Sequence, residues 1–230
     1  MISLKTHVIS LGGSLVVPNE IDYDFLKKLK EIITRLTKKN KFVIVVGGGR
    51  TARIYINALR KEGVNERLQS LIGIGITRLN ARFCANFFGK IGSQHTPSNL
   101  KELTNMMRID KVVFSGGLRF IPNNTSDGTA AQIANHLKTE FINLTNVDGL
   151  YSKDPKKFKD AIFIPKISIN DFYKIATKME YKPGQHFVLD QHAAEIIKKH
   201  KIRTVILNGK NLNNIENYLE GRKFVGTVIE

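Results

Sequence analysis

Apolar residues in this chain come in short unbroken runs that end in glycine. Residues 6 to 18 read THVISLGGSLVVP, residues 41 to 53 KFVIVVGGGRTAR and residues 111 to 117 KVVFSGG. Such runs fit strands buried on both faces, as in a parallel sheet covered by helices. A further run, Phe141 to Asp148 (FINLTNVD), ends in hydroxyl and amide groups, and Thr204 to Leu207 and Lys223 to Ile229 read as later strands. Between the runs the apolar spacing changes to three and four. Phe25, Leu26, Leu29, Ile32, Ile33 and Leu36 share one helix face opposite lysines, with Asp22 or Asp24 as the cap. Thr51 to Lys61 reads as a helix stopped by Gly63, and residues 68 to 88 as a long one. Gly73 and Gly75 cost that helix about 1 kcal/mol each relative to alanine and suit close approach of a backbone or ligand. The stripe of Leu71, Ile72, Ile76, Leu79 and Phe83 reads as core or subunit interface. Thr96-Pro97 breaks the chain before another short helix. Thr129 to Leu137, Ser168 to Thr177, Asp190 to Lys199 and Asn211 to Leu219 complete the helices, and Gly149 to Lys159 reads as a polar loop. This alternation predicts an α/β fold with a largely parallel sheet between helix layers. No repeat, low-complexity segment or linker divides residues 1–230, so one domain is expected.

Composition changes this picture little. With 42% apolar and 24% charged residues the chain reads as an ordinary globular protein. No apolar run nears the roughly 20 residues of a membrane helix, and no secretion signal is visible. Cys84 is the single cysteine, which excludes an internal disulfide and fits a reducing cytoplasm. The net charge of +16 comes from lysines spread along the chain, with no arginine-rich arm, zinc-ligand spacing or aromatic-basic motif. It reads as a solvated surface that attracts small anionic substrates, and no nucleic acid or membrane partner is expected.

The candidate chemistry lies at the strand ends. Gly12-Gly13-Ser14, Gly47-Gly48-Gly49, Ser115-Gly116-Gly117 and Thr145-Asn146 all follow predicted parallel strands, on the sheet edge where ligands bind in α/β proteins. Glycines let a backbone turn sharply near a ligand, a following helix directs free N–H groups at it, and Arg50 and Arg53 supply forked cations. That set suits several phosphates at once. A tight strand-to-helix turn with no ligand fits the same stretch. Neither the G-x-x-x-x-G-K-[ST] nor the G-x-G-x-x-G fingerprint occurs.

In order, VISLGGSLVVP, VVGGGRTARIYI, LIGIGITRLNA, SGG…TSDGTAA, LTNVDGLYSKDPKK and VLDQHAAEII resemble the amino-acid-kinase superfamily, and within it the archaeal-type uridylate (UMP) kinases. The resemblance spans almost the whole chain. It implies a three-layer αβα sandwich, with an acceptor part over about residues 1–140 and an ATP part over about 141–230. It also implies transfer of the γ-phosphoryl of ATP to UMP with Mg2+, by a homo-oligomer (hexamer or dimer). Carried over residue by residue, Gly13, Ser14, Gly49 and Arg53 match positions facing the ATP phosphates. Thr145, Asn146, Tyr151 and Asp154 match the ATP ribose and base region. Gly48, Ser70, Gly116, Gly117, Asn123, Asn124 and Thr125 match the UMP side. Asp190, Arg53 and Asp127 match the surroundings of the transferring phosphoryl, with Asp190 organising magnesium or nearby donors rather than acting as a base.

Structural alternatives stand beside these roles: the glycines as turn residues, Arg53 as a surface arginine, Asp190 as a helix N-cap, Asp154 as a turn former before Pro155. His186 and His192 have no metal-pair spacing and are assigned no ligand role, and no residue is assigned as a metal ligand. Two positions depart from the family pattern. Ser10 stands where many members carry a lysine, and Ser70 where uridylate kinases present an aspartate to the ribose. The loop Leu118-Arg119-Phe120 is also altered. A kinase for another small acceptor, and a non-catalytic nucleotide-binding or oxyanion-storage protein, are the alternative functions.

Overall fold

The computed structural model describes residues 4–120, 124–178 and 189–230. The chain begins with β1 (Lys5–Leu11), α1 (Gly13–Val16), α2 (Tyr23–Leu36), β2 (Asn40–Val46), α3 (Gly49–Lys61) and α4 (Glu66–Phe88). Then come α5 (Leu100–Ile109), β3 (Val112–Ser115), α6 (Ser126–Leu137), β4 (Phe141–Thr145), β5 (Leu150–Tyr151), β6 (Phe163–Ile164) and β7 (Lys166–Ile167). It ends with α7 (Ile169–Lys178), α8 (Gln191–His200), β8 (Thr204–Asn208), α9 (Leu212–Leu219) and β9 (Thr227–Ile229). The main sheet has the order β3-β2-β1-β4-β8-β9-β7. The run from β3 to β8 is parallel, and β9 lies antiparallel to β8.

Alternation along the buried strands builds the layers. Ile9, Leu11, Phe42, Ile44 and Val46 point into one core with α2, the end of α4 and α9. Val8, Val43 and Val45 point into the other with α5, α6, α7 and α8. Both faces are covered, which is why apolar residues follow one another along these strands, as in Phe42 to Val46, rather than at every second position. The structure is thus the predicted α/β sandwich with a mostly parallel sheet. Asp22 caps α2, accepting from the Phe25 N–H at 3.0 Å, and the Ser168 hydroxyl accepts from Asp171 N at 3.0 Å ahead of α7.

Several local expectations change. Residues Gly13–Val16 form one helical turn directly after β1. The polar loop after Gly149 starts with β5, which pairs with β6 in a separate two-stranded sheet. The last strand covers only Thr227–Ile229. In the α4 stripe Ile76 is buried, whereas Leu71, Ile72 and Leu79 face outward, Leu79 with 64% of its surface exposed. Those three are therefore not core. Gly73 faces Ile56 of α3, while among the described residues nothing lies within 4 Å of the space beside Gly75.

At the sheet edge opposite the glycine turns, Glu140 gathers the starts of the strands. Its Oε1 lies 2.9 Å from His7 Nδ1 and 3.2 Å from Lys5 Nζ, and its Oε2 accepts from Arg203 at 2.6 Å and Tyr218 at 2.7 Å. Burial works against the charged carboxylate. The hydrogen bonds from His7 and Tyr218 and the charge of Lys5 outweigh it and hold Glu140 down at about 2. Removing one partner of a buried ion cluster costs about 3 kcal/mol or more. Glu140→Ala is accordingly expected to lower the urea midpoint at neutral pH by that equivalent. Because the folded carboxylate is depressed, the deficit should shrink as pH falls from about 4.5 toward about 2.

Candidate active site

The ends of β1 and β2 meet backbone to backbone. A β-carbon added to Gly13 would stand 2.1 Å from Gly49 N and 2.6 Å from Gly47 O. One added to Gly49 would stand 2.5 Å from Gly13 O, and Gly49 has φ of +62°, where other residues are strained. No side chain fits between the two turns. Asn80 of α4 donates to Gly47 O at 2.9 Å and to Gly48 O at 3.3 Å, fixing the second turn from behind. The N–H groups in the first turn of α3 lack intrahelical acceptors by geometry, so the fixed turn opens onto donors suited to an anion.

The same helix holds the end of β3. Gly116 lies so close to α4 that a β-carbon would stand 2.5 Å from Arg78 N. Gly117 N donates to Thr77 Oγ1 at 2.9 Å, and Arg78 donates to Gly117 O at 2.8 Å and Leu118 O at 2.5 Å. Thr77 Cγ2 is also 3.6 Å from the place of a Gly48 β-carbon. One turn of α4 therefore spans the gap between the Gly48 and Gly117 turns. Ser70 sits half-buried earlier on that helix, and the Phe120 ring lies 5.9 Å from the Arg67 guanidinium.

Two carboxylates stand at the helix starts. Ser10, fully buried on β1, donates to Asp127 Oδ1 at 2.6 Å. Burial and the neighbouring Asp190 charge push Asp127 up to about 7, and the Ser10 hydrogen bond offsets this only in part. Asp190 accepts from Ala193 N at 2.9 Å and from the Thr125 hydroxyl at 2.5 Å, so its N-cap role is real. Thr125 Oγ1 in turn accepts from Asp127 N at 3.1 Å and Gly128 N at 3.2 Å. Thr125 thus ties the starts of α6 and α8 together. Among the described residues neither carboxylate has an ion-pair partner, and no group of three or more His, Cys, Asp or Glu side chains forms a protein-only metal cage. A cation held by one or two carboxylates plus phosphate oxygens fits that donor set.

Gly13, Gly48, Gly49, Asn124, Thr125, Asp127 and Asp190 are brought together, with Gly116 and Gly117 joined to them through α4. Thr145 closes β4, and its carbonyl accepts from Gly209 N at 2.7 Å. Leu144 O lies 3.3 Å from the place of a Gly12 β-carbon, so this strand end adjoins the first glycine turn. Asn146 follows, half-buried. Tyr151 belongs to the small second sheet, 5.3 Å from the Phe163 ring. Asp154 is occupied as a turn former, its Oδ1 accepting from Lys156 N at 2.9 Å. Ser14 and Arg53 are exposed, directly after Gly13 and one turn beyond Gly49. Asn123 and His186 lie outside the described residues. Thr77, Arg78 and Asn80 were legible only as polar residues interrupting an apolar helix face, and Ser10 only as a missing lysine.

Gly13→Ala should cost about 2 kcal/mol or more through overpacking, read as a lower urea midpoint. Asp127, raised in the folded state, keeps its proton at pH values where the unfolded chain has lost it. Stability of the ligand-free protein should therefore fall as pH rises from about 4 to about 7. Asp127→Asn should flatten that slope and raise the thermal midpoint near pH 8 by roughly a few degrees.

The sequence profile of the amino acid kinase family matches residues 5–208. The uridylate kinase of Thermoplasma volcanium is 38% identical over 224 residues, 97% of this chain and 96% of that protein. The uridylate kinase of Thermococcus kodakarensis is 33% identical over 97% of this chain and 98% of its own length. The crystal structure of uridylate kinase from Archaeoglobus fulgidus superposes with a TM-score of 0.85 at 36% identity, covering 99% of this chain and 100% of that one. Matching sequence and matching architecture run together from end to end, and the chain belongs to the amino acid kinase family.

Proposed function

We propose that this chain is a phosphotransferase that moves the γ-phosphoryl of ATP to UMP, giving UDP and ADP. The observation that carries this reading is the meeting of the β1 and β2 glycine turns beside Asp127 and Asp190, in a chain whose full-length relatives are uridylate kinases. A UMP phosphate, with a second pKa near 6, is already anionic at neutral pH. Its oxygen attacks without a general base, so the site must position two anions and neutralise their charge.

Gly13, Ser14, Gly49 and Arg53 are assigned to the ATP phosphates, and Thr145, Asn146, Tyr151 and Asp154 to the ribose and base. Gly48, Ser70, Gly116, Gly117, Asn124 and Thr125 are assigned to UMP. Arg53 is the one family-matched cation near the glycine turns, and its exposure leaves it free to reach a bound phosphate. Ser10 keeps Asp127 in place by a neutral hydrogen bond and brings no charge of its own. Asp127 and Asp190 would hold Mg2+, which supplies charge neutralisation on the phosphate oxygens when bound. Thr125 and the α8 backbone keep Asp190 oriented for that task. The outward apolar residues Ile54, Tyr55, Leu68, Leu71, Ile72 and Leu79 of α3 and α4 favour a homo-oligomer. The lone buried Cys84, its thiol pushed up to about 12 by burial, agrees with a cytoplasmic protein.

ADP release should require both Mg2+ and UMP, with CMP, glutamate and isopentenyl phosphate giving less than about one hundredth of the UMP rate. Arg53→Ala should lower kcat by about 10²-fold, the loss expected for one transition-state donor. Turnover with one of the other acceptors but not UMP would overturn the acceptor assignment, and ATP binding without turnover on any acceptor would overturn the enzyme.

A further inference from the structure

Among the described residues, two buried polar atoms beside the active site have no hydrogen-bond partner, Asn124 Oδ1 and His192 Nε2. Both side chains lie over Gly128. A β-carbon there would stand 2.4 Å from Asn124 Oδ1 and 2.9 Å from His192 Cδ2, so Gly128 leaves room for both to approach one another. The orientation of Asn124 follows from its neighbours. The Thr129 hydroxyl donates to Thr125 O at 3.0 Å and can therefore only accept from Asn124 Nδ2, at 3.1 Å. This turns the amide oxygen toward the histidine and leaves it needing a donor. His192 Nδ1 is 3.8 Å from the Glu195 carboxylate, beyond hydrogen-bond reach, so among the described residues no acceptor claims a proton on that nitrogen. The tautomer with the proton on Nε2 is the one that complements Asn124.

We propose that His192 Nε2–H and Asn124 Oδ1 are joined across Gly128, directly or through one water, and that His192 is a positioning residue of the phosphotransfer site. Asn124 leads into the first turn of α6, which carries Asp127, and His192 lies in the first turn of α8, which is capped by Asp190. Thr125 already ties these two helix starts through Asp190. The His192–Asn124 bridge is a second tie that does not use a carboxylate oxygen. With both ties made, the two helix starts cannot pivot about Thr125, and the separation of Asp127 from Asp190 is set before substrates arrive. A buried acceptor left without its donor is costly enough to drive this pairing.

The kinetic part of the test rests on the phosphotransfer reading, and the stability part does not. His192→Leu keeps comparable side-chain bulk but cannot donate, whereas the amide of His192→Gln can. With UMP and Mg-ATP, His192→Leu should lower kcat about 10-fold, with both KM values within about twofold, and His192→Gln should recover most of the loss. Equal losses in the two variants, or a kcat unchanged in His192→Leu, would overturn the positioning role. Independently of activity, a double-mutant cycle of Asn124→Ala and His192→Leu, read by urea midpoint, should be non-additive. Additive shifts would overturn the bridge itself. Absence of UMP turnover in the unmodified protein, together with a non-additive cycle, would remove the kinase reading and leave the bridge standing.

Discussion

The space between Gly13 and Gly49 is too small for any side chain, and the rest of the site follows from that contact. Two adjacent parallel strands end at the same height, and their turns touch through backbone atoms alone. Backbone donors from separate segments then face the same volume without a side chain between them. Such a surface gains strength from being fixed in advance, because its dipoles need not reorganise when an anion arrives. Asn80, Thr77 and Arg78 of α4 supply the fixing, each bonded to the backbone of a glycine-bearing turn rather than to solvent.

The carboxylate pair shows the opposite economy. Asp127 and Asp190 are close enough to raise Asp127 through burial and repulsion, and the side chain that hydrogen-bonds Asp127 is a neutral serine. The ligand-free protein therefore keeps an unfavourable charge arrangement that a cation or a cationic side chain would relieve. Strain of this kind persists where surrounding contacts over-determine it, and here Ser10, Thr125 and the α8 cap hold the two groups in place. The Glu140 cluster at the other edge of the sheet is the contrasting case: four partners surround one carboxylate and stabilise its charged form. One edge of the sheet is electrostatically satisfied, and the other is left unsatisfied where chemistry is expected.

The strands β1 to β4 and the helix α2 were legible because each carries a recognisable pattern, a mostly apolar run for the buried strands and spacing by three and four for the helix. The glycine turns were legible because they follow those strands directly. Two-residue strands such as β5, β6 and β7 carry no period, so the second sheet and the far edge of the main one were invisible in the sequence. The α4 stripe misled on its core reading because an apolar helix face looks the same whether this chain or another surface covers it.

Sequence alone determined the class of fold, the order of the main strands' chemistry and the family, since those depend on local spacing and on motifs read in order. Only tertiary structure decided that Ser10 meets Asp127 across 117 positions, that Thr125 meets Asp190 across 65, and that α4 braces two glycine turns at once. Contacts between distant segments depend on how layers stack and how strands register. No stretch of neighbouring residues encodes those distances, and the electrostatic state of the site depends on them.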